Sequence, residues 1–260
     1  VGSEMCIRDS LRPGLSGKRH AIIADSESVQ FGALTIVTID GRLSDRPFVT
    51  HKNIQRDAEK LGLALSGDQI EKLSCLLIEL ERWNRRINLT AIRDPDDMVA
   101  GHLLDSLAVQ PHLRGVTVLD IGTGPGFPGL PLAIAEPGRQ FTLLDSNGKK
   151  ISFVKHAIGE LGLDNAIAVK ARVEHYPPEA RFDTVTARAL ATVPRLVELS
   201  AHLVGEDGRL LALKGKYPAE ELDALTALPD WDYSVTKLTV PGLEAHERHL
   251  VTVRRTKTES

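Results

Sequence analysis

The chain has 260 residues, of which 42% are hydrophobic and 26% are charged, and its formal net charge is -3. This length suits one large domain or one domain with a smaller attachment, and the slight negative charge excludes a uniformly basic nucleic-acid coat, so any contact with RNA or DNA must be a local patch. The two cysteines lie far apart, outside the spacing of metal ligands, and we expect no metal site.

Residues 1–50 show no sustained hydrophobic period, and their opening, VGSEMCIRDS, resembles translated adapter sequence. We expect this segment to be disordered or a non-native extension. Its most apolar run, ALTIVTI, is too short to span a bilayer, and no cleavable signal precedes it. We therefore expect a cytoplasmic protein without a membrane contact.

A small helical portion is expected over residues 51–113. The stretch IQRDAEKLGL is typical of a short helix that ends at a glycine. Ser66 and Gln69 have the spacing of a capping box, and the apolar residues that follow at every third or fourth position predict a longer helix with Trp83 in the core. Asp94, followed by a proline and two aspartates, predicts another helix start.

Residues 114–256 alternate short apolar runs with helical stretches. The runs VTVLDI, QFTLLD, AIAVKA, FDTVTAR and GRLLALKG are typical of a parallel sheet covered by helices. Two further runs, YSVTKLTV and RHLVTVRR, are joined by a short loop and predict an antiparallel hairpin. We therefore expect an α/β fold with a mostly parallel, seven-stranded sheet that ends in this hairpin.

The first run leads into the loop DIGTGPGFPG, which contains Gly122, Gly124 and Gly126. Positions without a Cβ allow a ligand to lie against the backbone at the carboxyl end of a strand. Read from Gly124 through Gly126 to Gly129, the loop also satisfies the dinucleotide fingerprint G-x-G-x-x-G, which is a weak signal by itself. The loop alone leaves more than one cofactor class open.

Acidic residues follow each of the first three runs. Asp145 suits the ribose hydroxyls of any adenosine-containing cofactor and does not discriminate. Asp120, directly before the loop, and Glu174, just after the third run, suit a ligand with a cationic amino-acid tail and no pyrophosphate. That ligand is S-adenosylmethionine, although either acid taken alone is equally well explained as a solvated strand end.

Further motifs follow in order along the chain: RWNRRINLTAIRDPDDM, HLLDSLAV, FTLLDSNGKK, ARVEHY, RALA, LALKG and ERHLV. With the loop, they resemble the bacterial ribosomal RNA small subunit methyltransferase G family, also called glucose-inhibited division protein B, over about residues 54–254. The resemblance implies a class I S-adenosylmethionine-dependent methyltransferase fold, which is Rossmann-like, after a small helical segment. It also implies methylation of a guanine at ring nitrogen 7 in 16S rRNA, and cofactor contacts at Gly122, Phe127, Val173, Glu174 and Arg188.

Transfer to that nitrogen needs no general base, because its lone pair is available without loss of a proton. The enzyme then contributes proximity and orientation, and we expect positioning residues. Arg188 and Lys214, at the ends of the fourth and fifth runs, are the candidates, because Arg clamps carboxylates or stacks on bases and Lys holds phosphates. The simpler alternatives are a strand-end ion pair for Arg188 and a solvated Lys214, and His102 is expected to be a partly buried histidine and not a catalyst.

The expected partner is 16S rRNA or the small ribosomal subunit, bound by a monomer. Basic side chains that suit an RNA backbone are Arg82, Arg85, Arg86, Lys149 and Lys150. The three arginines, in ERWNRR, are equally well explained as the exposed face of a helix. The chain departs from the family pattern at Gly101, where a basic residue is usual, and at Leu190, where the family usually has RAFA. The competing functions are a small-molecule methyltransferase, a dinucleotide-dependent oxidoreductase and a non-catalytic RNA-binding protein that retains the fold.

Overall fold

The computed structural model describes residues 51–177, 179 and 181–256, so the expected extension at residues 1–50 lies outside the described residues. The helical portion that precedes the sheet consists of α1 (His51–Lys60), α2 (Gly67–Asn84), α3 (Pro95–Met98) and α4 (Asp105–Leu107). The predicted capping box is present: Ser66 Oγ accepts from Gln69 N at 3.2 Å, and Gln69 Oε1 accepts from Ser66 N at 2.8 Å. The predicted helix start at Asp94 is also confirmed, because its carboxylate accepts from Asp96 N.

A π-helical turn, Val99–Leu104, separates α3 from α4 within the helical stretch that begins after Asp94. The N–H of Asp105 donates to the carbonyl of Ala100, five residues earlier. Such turns insert one extra residue into a helix and are frequent at functional sites. Here the carbonyl of Gly101, inside the turn, accepts a hydrogen bond of 3.0 Å from Arg188 of the sheet.

The sheet has seven strands in the order β3-β2-β1-β4-β5-β7-β6. They are β1 (Thr117–Ile121), β2 (Gln140–Asp145), β3 (Ala166–Lys170), β4 (Phe182–Arg188), β5 (Val204–Lys214), β6 (Trp231–Lys237) and β7 (His249–Arg255). The first five are mutually parallel, and β7 lies antiparallel between β5 and β6. The predicted mostly parallel sheet with a terminal antiparallel hairpin is therefore confirmed, although β5 begins earlier and β6 ends earlier than the apolar runs indicate.

Helices cover both faces of the sheet: α5 (Gly129–Ala135) and α6 (Gly148–Glu160) lie with the N-terminal helices on one face, and α7 (Val193–Ser200) and α8 (Ala219–Leu225) lie on the other. Alternate strand residues enter opposite cores, so Val118 joins the first core and Leu119 the second. Trp83 packs edge-on against Phe153 with ring centroids 5.7 Å apart, as its predicted core role requires.

The chain order reverses between β1 and β4. From β1 the sheet continues through β2 and β3 on one side, and through β4 and β5 on the other. In open α/β sheets ligands bind in the crevice outside the carboxyl ends of the strands at this reversal. In the part of the chain that the structure describes, no helix is both long and apolar enough to cross a membrane.

Candidate active site

The glycine loop, residues 122–128, leaves the carboxyl end of β1 at the reversal point. Gly122, Gly124 and Gly126 have φ angles of 64°, 60° and 94°, a left-handed backbone that L side chains rarely adopt. A Cβ on Gly122 would also lie 2.7 Å from Leu190 Cδ1, and one on Gly126 would clash with Leu130. The predicted need for glycine at these three positions is therefore explained by backbone geometry.

Asp120 lies beneath this loop with no exposed surface. Its Oδ2 accepts from Thr123 Oγ1 at 2.6 Å and from Gly129 N at 3.0 Å, and its Oδ1 accepts from Thr186 Oγ1 at 2.9 Å. Burial raises the pKa of Asp120 to about 6, although these three hydrogen bonds oppose the shift. The carboxyl group thus ties the loop to β4 and to the start of α5, whereas the sequence predicts a direct cofactor contact.

Asp145, at the end of β2, lies at the edge of the loop and is half-buried. Its Oδ2 accepts from Gly124 N at 2.9 Å, and its Oδ1 accepts from Asn147 N at 2.7 Å. Because a carboxylate oxygen can accept two hydrogen bonds, each oxygen retains acceptor capacity. The structure therefore brings the predicted ribose-binding acid and the glycine loop together.

The end of β3 adds Val173 and Glu174, which open a short 3₁₀ helix. Val173 is buried, and the side chain of Glu174 is exposed. The N–H of Ala171 donates to the carbonyl of Asp145 at 3.2 Å, which fixes this segment beside the end of β2. The three predicted acids thus follow neighbouring strands in three different settings: buried, half-buried and exposed.

Arg188, at the end of β4, packs against Phe127 of the glycine loop and against the π-helical turn. Its guanidinium carbon lies 5.6 Å from the Phe127 ring centroid, and its Nη1 lies 3.2 Å from Asp105 Oδ2. The ion pair considered as the simpler alternative therefore exists. It is not a surface pair, because the two side chains are only 19% and 9% exposed.

His102 connects Arg188 to the loop. Its ring stacks on Phe127 with centroids 4.6 Å apart, its Nδ1 lies 3.5 Å from Arg188 Nη2, and its Nε2 lies 2.9 Å from Thr90 Oγ1. Burial and the nearby guanidinium lower the pKa of His102 to about 4, so the ring is neutral at pH 7. Because a guanidinium only donates, Nδ1 faces it as the acceptor and Nε2 carries the proton.

Sequence reasoning set His102 aside as a site residue and missed Asp105 and Arg248. The carboxylate of Asp105 is shared, because its Oδ1 accepts from Arg248 Nε at 2.9 Å. The sequence signal for His102 and Asp105 is their i, i+3 spacing in HLLDS, which places both on one face of a helix. Nothing in the sequence indicates that Arg248, the last residue of the β6–β7 loop, reaches the same carboxylate.

Lys214, at the end of β5, is directed into the protein. Its Nζ donates to the carbonyl of Ala191 at 2.8 Å and forms an ion pair of 2.7 Å with Glu221. Glu221 also accepts from Val193 N at the start of α7. With 14% of its side chain exposed, Lys214 is not the solvated lysine of the simpler alternative, and it anchors the turn that follows β4.

The predicted RNA-facing basic groups differ in place and in pairing. Lys149 and Lys150 lie in the first turn of α6, just after Asp145, where their backbone N–H groups donate to Asn147 Oδ1. Arg82 and Arg85 form exposed ion pairs with acids of their own helix, Glu79 and Glu81. Such pairs are typical of a solvated helix face. The exposed-face alternative therefore accounts for these two arginines.

Comparisons with known proteins agree on one family. The family model of rRNA small subunit methyltransferase G matches residues 69–251. A ribosomal RNA small subunit methyltransferase G from Psychromonas ingrahamii is 44% identical over 204 residues, covering 78% of this chain and 98% of that protein. The protein of the same name from Stenotrophomonas maltophilia is 53% identical over 175 residues, covering 67% of this chain and 81% of that protein.

Solved structures agree on the fold. The magnesium protoporphyrin IX methyltransferase of Synechocystis PCC 6803, crystallised with bound S-adenosylmethionine, has a TM-score of 0.50 at 16% identity and covers 74% of this chain and 98% of that one. This likeness extends to the fold alone, and the fold is that of the class I methyltransferases. Because the family model spans most of the chain and the relatives match over most of their own length, the chain belongs to the rRNA small subunit methyltransferase G family.

Proposed function

We propose that this chain transfers a methyl group from S-adenosylmethionine to ring nitrogen 7 of a guanine in 16S rRNA. Membership of the family supports rRNA methylation. The observation that carries the cofactor assignment is the hydrogen bond between Asp145 and Gly124 N, because it places an acid suited to ribose beside a loop without Cβ atoms.

The residues at the edge of β1, β2 and β3 fit this cofactor, which supplies an electrophilic methyl group when bound. The backbone from Gly122 to Phe127 offers a close approach, and Asp145 has acceptor capacity left for two ribose hydroxyls. The apolar side chain of Val173 suits a purine ring, and Glu174 supplies an exposed carboxylate nearby. We assign these residues to the cofactor.

The buried carboxyl of Asp120 argues against a dinucleotide. In dinucleotide-binding folds the N–H groups at the start of the helix after the loop bind the pyrophosphate. Here Gly129 N, at the start of α5, already donates to Asp120 Oδ2. A pyrophosphate would meet a group that carries negative charge at pH 7, which disfavours the oxidoreductase alternative.

We assign positioning roles to the residues on the β4 and β5 side. Arg188 and His102 hold Phe127, and through it the glycine loop, against the π-helical turn. Lys214 holds the turn after β4, a role that replaces the phosphate contact expected from the sequence. His102 is buried, neutral and engaged at both nitrogens, so it suits a reaction that needs no general base.

Transfer of tritiated methyl groups from labelled S-adenosylmethionine to purified small ribosomal subunits and to free 16S rRNA tests this function. We expect label in 7-methylguanosine after nucleoside digestion, and none with large subunits as the control. Cofactor binding without transfer to any RNA would favour the non-catalytic RNA-binding protein, and label in a small molecule alone would favour the small-molecule enzyme. We further propose that the enzyme is cytoplasmic and acts as a monomer. Analytical ultracentrifugation at the assay concentration tests the oligomeric state.

A further inference from the structure

The direction from which the acceptor base approaches follows from the sheet. The glycine loop, Asp145 and Val173 assign the ends of β1, β2 and β3 to the cofactor. An acceptor nitrogen must come within about 3 Å of the transferred carbon. The neighbouring parallel strands that remain are β4 and β5, so the acceptor side of the crevice lies at their carboxyl ends.

The turn that follows β4 is strained and firmly held. Ala189 has a φ of 52°, the left-handed region that costs a non-glycine residue about 1 kcal/mol or more. Lys214 bonds to the carbonyl of Ala191 two residues later, and Glu221 holds both Lys214 and the N–H of Val193. Strain of this kind persists where the surroundings over-determine it, and such positions cluster at functional sites.

This turn carries Leu190, whose side chain lies between the glycine loop and solvent. One side of it packs over Gly122, where a Cβ would lie 2.7 Å from Leu190 Cδ1. The side chain nevertheless remains 42% exposed. A flat apolar partner placed on this exposed side would therefore lie next to the loop to which the cofactor is assigned.

Tyr217 provides an aromatic ring at the end of β5. It is 55% exposed and packs edge-on against His249 with ring centroids 5.5 Å apart. His249 is itself buried and hydrogen-bonded to the carbonyl of Gly215 at 3.0 Å. The other large hydrophobic side chains that are exposed in the described part of the chain lie before β1, on β3 and on β6, namely Val116, Ile167 and Tyr233.

We propose that Leu190 and Tyr217 form the acceptor-base site, which takes an unpaired purine of the rRNA swung out of its stack. Proteins read RNA on unpaired bases that stack on aromatic side chains, and enzymes that modify a base extrude it into a pocket. The proposal rests on the proposed function and identifies which side chains contact the RNA base. Leu190 contacts the base beside the cofactor loop, and Tyr217 provides the stacking surface at the end of β5.

Steady-state methylation of small subunits by Leu190→Ala, Tyr217→Ala and Tyr217→Phe tests this assignment. Base stacking on an aromatic ring is worth about 1–3 kcal/mol per base, so Tyr217→Ala should raise the KM for RNA by about tenfold. Leu190→Ala should raise the KM for RNA as well, because it removes apolar surface that the base would cover. Tyr217→Phe should stay within about twofold of the unmodified chain because it keeps the ring. The Kd for S-adenosylmethionine, measured by calorimetry, and the Tm should not change in any of the three.

Ile167→Ala and Tyr233→Ala are matched controls, because they remove another exposed aliphatic and another exposed aromatic side chain, on β3 and β6. A KM for RNA that equals that of these controls would overturn the inference. So would a weakened Kd for the cofactor with an unchanged KM for RNA, because Leu190 would then belong to the cofactor site. Absence of methyl transfer by the unmodified chain would instead overturn the proposed function, and this inference with it.

Discussion

Replacing Asp120 with asparagine should stabilise the chain, relative to the unmodified protein, as the pH rises from 4 to 7. Replacing a carboxylate whose pKa is lowered in the folded state should have the opposite effect of pH. Asp120 is fully buried and accepts from Thr123, Thr186 and Gly129. An asparagine has nearly the same shape, and its oxygen can accept from Thr123 and Gly129 while its amide faces the Thr186 hydroxyl. The substitution therefore removes the ionisable group and leaves most of the hydrogen bonds in place.

The magnitude follows from the two pKa values. Burial raises the pKa of Asp120 to about 6 from an ordinary value of 3.8, so between these values the folded chain holds a proton that the unfolded chain has released. The stability that this proton provides is complete below pH 3.8 and is lost as the pH rises through 6. A shift of about two pKa units corresponds to about 3 kcal/mol.

Urea unfolding followed by tryptophan fluorescence, at pH values from 4 to 7, measures the effect. The free energy of unfolding of Asp120→Asn, relative to the unmodified chain, should rise by about 3 kcal/mol over this range. Asp183→Asn is the control that should stay nearly flat over this range, because hydrogen bonds from the Thr117 backbone hold the pKa of Asp183 below its ordinary value of 3.8, so its effect on stability changes only below about pH 4. A difference for Asp120→Asn that stays constant with pH, or follows the control, would refute the reasoning.

Three further predictions concern the site. Asp145→Ala should weaken S-adenosylmethionine binding by about 1–3 kcal/mol in calorimetry, and an affinity equal to that of the exposed control Asp164→Ala would contradict the ribose assignment. Arg188→Ala should strongly lower kcat for methyl transfer, because Phe127 loses the side chain that packs against it. Arg188→Lys should have a similarly low kcat, since an ammonium lacks the planar fork of a guanidinium. An unchanged kcat in the alanine variant would show that Arg188 does not belong to the site. The lowered pKa of His102 provides stability that is fully present above pH 6.5 and is lost as the pH falls towards 4. The free energy of unfolding of His102→Asn, relative to that of the unmodified chain, should therefore rise by about 3 kcal/mol as the pH falls from 7 to 4. Urea unfolding that shows no such rise would mean that His102 is not held neutral.

The fold was predictable because its signals are local. Each apolar run of the methyltransferase domain became a strand, and Ser66 and Gln69 formed the expected cap. The glycine loop was also recognisable, although its glycines were explained by the close approach of a ligand, whereas the structure adds left-handed φ angles at Gly122, Gly124 and Gly126. What could not be predicted was the exact extent of β5 and β6, which depends on pairing with distant strands.

The site was predictable only in part, because side-chain direction depends on tertiary contacts. Asp120 shares the face of Val118, on which α5 packs, so its carboxyl is buried beneath the loop and bonded to Gly129 N. The contact between Arg188 and Gly101 joins residues far apart in the chain and passes through a π-helical turn that no periodicity in the sequence marks. Lys214 looked free in LALKG because its partner, Glu221, lies in the following helix.

The central claim, methylation of guanine nitrogen 7 in 16S rRNA, is tested most directly in a bacterial host that lacks its own enzyme of this family. The host is complemented with the unmodified chain or with the Asp145→Ala variant, and nucleosides from purified 16S rRNA are quantified by mass spectrometry. We predict that the unmodified chain restores 7-methylguanosine to the level of the parent strain and that the variant restores markedly less. Absence of restored 7-methylguanosine with the unmodified chain, although the protein is expressed and binds S-adenosylmethionine, would contradict the claim.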